Sequence, residues 1–220
     1  QLSRISSTPF EGPNFGVHKG SNLLLFVMET ASIEFLDGRK GLPAHPVLEA
    51  LKAKTFVAAN HYSTFPASAE GNLSLMTGVY PPRAIYGTCL IDVPREGGRL
   101  PGPIGALRDA GYKTGLYAPF RSQVPADKVI FEGMGFEKVS YGELLPETGG
   151  PKLPGSGVAD LRTLDLLTKD IAGWAKAKQP FAAAFFPLSR AVRSRWAAGR
   201  AVRIARAIAG ALLLALLARD

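Results

Sequence analysis

The sequence predicts an α/β fold, a mainly parallel sheet flanked by helices, and three observations carry that prediction. Apolar runs of five to seven residues recur along the chain, segments with helical spacing separate them, and glycine or proline punctuates the joins. Near-continuous apolar runs suit the strands of a parallel sheet, because helices cover both of its faces.

Each element follows in order. Residues 1–20 are rich in Ser, Pro and Gly without an apolar period and read as a linker or approach segment. Asn22 to Met28 (NLLLFVM) forms the first strand, closed by Glu29 and Thr30. Pro46 to Lys54 is a helix with Val47, Leu48 and Leu51 on one side, and Thr55 to Ala59 (TFVAA) reads as a second strand. Ala67 to Met76 reads as a helix ending at Gly78. Pro103 to Ala110 is a short helix stopped by Gly111, and Tyr112 to Ala118 makes the next strand. Residues 119–158 read as loop-rich, with Gly133, Gly135 and the Gly149-Gly150-Pro151 break. Asp160 to Lys178 is an amphipathic helix in which Leu161, Leu164, Leu167, Ile171 and Trp174 recur at three or four residues. Pro180 to Phe186 is the last buried strand.

Composition narrows the class of protein. At 220 residues, 46% hydrophobic and 20% charged, the chain can bury a substantial single core. Its longest apolar run, Ala207 to Ala218, falls short of the roughly 20 residues that span a bilayer. The single cysteine, Cys89, excludes an internal disulfide framework and a Cys-based zinc cluster. Gln1 opens the sequence with no signal-peptide pattern after it, which fits a removed leader or a piece of a longer chain.

The net charge of +8 is concentrated at one end. Residues 188–220 hold seven arginines and one acid, Asp220, and so supply six of those charges. The body is nearly balanced, and no specific nucleic-acid partner is expected. Before residue 188 the chain uses eleven lysines and eight arginines; after it, no lysine at all. A shifted reading frame in a GC-rich gene accounts for that change, and an open frame continuing past Phe186 in another register would establish it. The competing reading is a basic amphipathic helix associating weakly with an anionic membrane.

Two residues carry the candidate chemistry. Glu29 closes a buried strand, and in open α/β sheets ligands bind outside the carboxyl ends of the strands, where a carboxylate can hold a metal. Ser68 starts a helix, beside unpaired backbone N–H groups and the positive end of the helix dipole. An anionic ester held there could be attacked by the Ser68 hydroxyl, with a metal lowering its pKa. The plainer roles stay open: Ser68 as an N-cap with Glu70 in the first turn, and Glu29 as a solvated strand end.

The ordered blocks NLLLFVMET, PVLEALKAKTFVAANHYST, SAEGNLSLMTGVYPP, IGALRDAGYKTGLYAPF and KQPFAAAFF resemble the sulfatase family of the alkaline phosphatase superfamily. Within it they are most similar to the branch of lipoteichoic-acid synthases and phosphoethanolamine transferases. The resemblance covers residues 21–187, and it implies the N-terminal part of a sulfatase-like catalytic domain, incomplete at its C-terminal end. It implies that Ser68, ten residues before the Gly78 of the L/M-T-G motif, is the nucleophile and also touches the metal, and that Glu29 is a metal ligand. One divalent ion (Mn, Mg, Ca or Zn), a small-molecule or lipid-linked anionic ester as substrate, and a location in the cell envelope follow from the same resemblance.

The departures refine the expectation. The segment Ser68-Ala69-Glu70-Gly71-Asn72 lacks the Pro and Arg of the C/S-x-P-x-R signature that directs formylglycine formation, so formylglycine is not expected. An unmodified serine fits phosphate-ester or phosphotransfer chemistry better than sulfate hydrolysis. Asn72 stands where the signature has Arg and is the candidate contact for a substrate oxygen, or else faces solvent. His18, His45 and His61 all lie upstream of the last strand, whereas the family's further ligands follow it, so the three read as structural or exposed. With so few ligands, weak metal binding and no measurable turnover are expected of the chain. The run Phe181 to Phe186 is expected to have an uncovered edge and face.

Overall fold

The structure, a computed structural model, describes residues 12–13, 15–28, 46–58, 60–65, 68–80, 99–119, 126–141 and 160–187. Its strands are β1 (Leu23–Phe26), β2 (Lys113–Ala118), β3 (Lys138–Tyr141) and β4 (Phe181–Phe185); its helices are α1 (Pro46–Lys52), α2 (Ser68–Thr77), α3 (Pro103–Asp109), α4 (Ala126–Gly133) and α5 (Asp160–Lys176). The four strands form one sheet in the order β1-β4-β2-β3, and every pairing is parallel.

Strand alternation sorts the side chains into two cores, because successive residues point to opposite faces. One face joins Leu116, Ala118, Val139, Tyr141, Ala182, Ala184 and Phe186 to Leu73 and Met76 of α2, Ile104 of α3 and Ile130 of α4. The other joins Tyr117, Phe181, Ala183 and Phe185 to Leu164, Leu167 and Ile171 of α5. Helices on both sides of a parallel sheet make the three-layer arrangement that the apolar runs demand. The alanines of β4 have a packing role: small side chains in the central strand let the helices approach.

A polar cluster anchors α5 to the sheet. The Tyr117 phenol, wholly buried, donates to Asp170 Oδ2 at 2.6 Å, and Lys138 of β3 pairs with the same oxygen. The ammonium of Lys138 also lies 5.9 Å from the centroid of the Tyr117 ring. Burial first, and then the hydrogen bond and negative charge of Asp170, push the Tyr117 pKa far above the ordinary tyrosine value. At the start of β2 and just before β3, Thr114 ties the two segments together: its hydroxyl donates to the Gly135 carbonyl at 2.8 Å and accepts the Glu137 N–H at 3.0 Å.

Three expectations need correction. Thr55 to Val57, read as the start of a strand, extend from the end of α1 without joining the sheet, and Phe56 is 94% exposed. The Thr55 hydroxyl bonds back to the Leu51 carbonyl at 2.9 Å, so local helix-end bonding prevails over a short apolar run with no described strand beside it. Residues 126–141, read as loop, hold α4 and β3. Gly133 and Gly135 look like loop punctuation, yet Gly135 serves a close approach, for at φ +109 a Cβ there would fall 2.5 Å from Gly105 Cα. Finally, β4 is fully covered: β1 and β2 pair with both its edges and the two cores bury both faces.

Candidate active site at the start of the second helix

The site candidate is built on α2, whose faces are sharply divided. Glu70, Leu73, Ser74 and Met76 turn inward, while Ser68 and Leu75 are exposed. Ser68 is the first residue of the helix and Asn72 stands four residues on, so the two share one face. Ser68 is open to solvent and Asn72 half-buried. The start of a helix presents outward-pointing N–H groups and a partial positive charge, an environment suited to an anionic ester.

The far end of α2 shows why the Met-Thr-Gly sequence stands there. Met76 is buried, the Thr77 hydroxyl donates to the Leu73 carbonyl at 2.6 Å and accepts the Val79 N–H at 3.2 Å, and Gly78 turns the chain at φ +69. The Ser74 hydroxyl donates to the Val79 carbonyl at 2.8 Å and closes the turn. The hydroxyl bonds and the positive φ of Gly78 are helix-stop devices, and this motif sets where α2 ends. Gly102, before α3, admits the α2 terminus so closely that a Cβ would lie 2.2 Å from the Met76 carbonyl oxygen.

The approach to α2 is also ordered. Ser63 donates to the Phe65 carbonyl at 2.6 Å, and a Cβ on Gly71 would lie 3.5 Å from both that carbonyl oxygen and Ser63 Oγ. Residues 63–65 therefore rest against the first turn of the helix. Sequence reasoning missed this contact and also missed the burial of Glu70, which is 1% exposed two residues from Ser68.

Glu29 lies outside the described residues. The strand that leads to it is placed: Phe26 pairs in register with Phe185, and the Val27 N–H donates to the Phe185 carbonyl at 3.1 Å. The chain thus reaches Met28 at the carboxyl end of the sheet. His45 is likewise outside the described residues, and His18 and His61 are exposed. Among the described residues no three His, Cys, Asp or Glu side chains gather as a metal centre would require. Ser68 alone of the two proposed metal-touching residues is described, so the described donors do not amount to a site.

No protein-family profile and no curated protein sequence matches the chain. Solved structures do. A protein of the alkaline phosphatase superfamily from Vibrio parahaemolyticus superposes with a TM-score of 0.67 at 18% identity. The lipoteichoic acid synthase LtaP from Listeria monocytogenes superposes with a TM-score of 0.69 at 17% identity. The fold is that of the alkaline phosphatase superfamily. The first match covers 86% of this chain and 49% of that one, the second 98% and 55%, so the chain spans about half the length of either structure. A match at such low identity shows the fold alone and leaves the chemistry to be argued from the site itself.

Proposed function

We propose that this chain is the nucleophile-bearing part of a metal-dependent hydrolase or transferase acting on phosphate or sulfate esters, phosphate being the better fit. The observation that carries the reading is the placement of Ser68: an exposed serine at the first residue of a ten-residue helix, with Asn72 on the same face. The Ser68 hydroxyl attacks the ester's phosphorus or sulfur and the alcohol departs. The N-terminal N–H groups of α2 orient the anionic oxygens, and Asn72 contacts one of them. Glu29 and Ser68 would hold a divalent ion (Mn, Mg, Ca or Zn), which when bound lowers the pKa of the hydroxyl. The substrate class is a small-molecule or lipid-linked anionic ester, met in the cell envelope. Among the described residues no helix is long and apolar enough to cross a membrane.

Hard cations take about six or more oxygen ligands, and these two donors supply fewer, so the 220-residue chain by itself is expected to bind metal weakly and turn over nothing measurable. The assay is hydrolysis of nitrophenyl phosphate and bis-nitrophenyl phosphate with each of the four cations. Saturable turnover that disappears in Ser68→Ala would overturn the expected inactivity and support the nucleophile; saturable turnover that survives in Ser68→Ala would overturn the nucleophile.

The second reading, favoured by the concentration of positive charge in residues 188–220, is weak attachment to anionic membranes. Co-sedimentation with vesicles containing an anionic lipid should be salt-sensitive and should require those residues. Equal co-sedimentation of a chain ending at residue 187 would eliminate it.

A further inference from the structure

We draw no further inference here: the strongest candidate, the outer edge of β1 with partly exposed Leu23, has nothing among the described residues that shows what covers it.

Discussion

The two halves of the sheet are made differently. In β4 and β2 nearly every side chain is buried, both edges of each strand are paired, and Asp170 fastens α5 from outside. In β1 no residue is fully buried, and the strand leads toward the rim where the proposed chemistry lies. Ser68 shows the same contrast within α2, exposed on a helix whose opposite face is packed into the core. The most deeply buried side chains of the sheet lie in the central strands, while Ser68 is exposed. Binding groups borne on a rigid scaffold but facing solvent are a common division of labour.

Truncation of the scaffold tests that division most severely. Phe185→Ala removes a wholly buried ring between β4 and α5 and should cost about 3–5 kcal/mol, whereas Leu23→Ala at the partly exposed start of β1 should cost roughly 1 kcal/mol or less. Urea unfolding of both variants measures the gap. Comparable losses would mean that β1 is as tightly packed as the centre.

Alkaline unfolding sharpens the comparison at the Tyr117 anchor. Because the folded phenol holds its proton far above the ordinary value of 10.0, the two states bind protons equally at neutral pH. Above pH 10.0 the unfolded chain ionises while the folded chain does not, so stability should fall. The stability difference between wild type and Tyr117→Phe should move against wild type by up to about 1.4 kcal/mol per pH unit in that range. A constant difference between pH 9 and 12, two values bracketing the 10.0 midpoint, would show that Tyr117 is not shielded.

The smallest effect is expected at the proposed nucleophile. Ser68→Ala should shift the unfolding free energy by less than about 0.5 kcal/mol, as substitutions at exposed positions usually do. A loss of about 1 kcal/mol or more would indicate instead that the hydroxyl secures the start of α2 as a cap.

Much of this architecture was legible from residue order. The runs at Asn22 to Met28, Tyr112 to Ala118 and Pro180 to Phe186 became strands, and the three-to-four spacing of Leu164, Leu167 and Ile171 marked the helix that packs on them. These features are local and repeat with a fixed period, so the chain states them directly. Short pieces were not legible. TFVAA has strand composition but no described partner, while KVSY has a weak pattern and becomes β3 because β2 lies beside it in register. Pairing is a long-range event that no window of a few residues contains.

The same limit governs the site. Sequence alone determined the α/β class, the three strands with long apolar runs, the long amphipathic helix and the serine at a helix start. Only tertiary structure decided that β4 runs between β1 and β2, that Glu70 turns inward while Ser68 faces solvent, and that glycines at 102 and 135 are close-contact positions. Periodicity specifies which face of an element is apolar, but which elements meet depends on burial and backbone approach across distant parts of the chain.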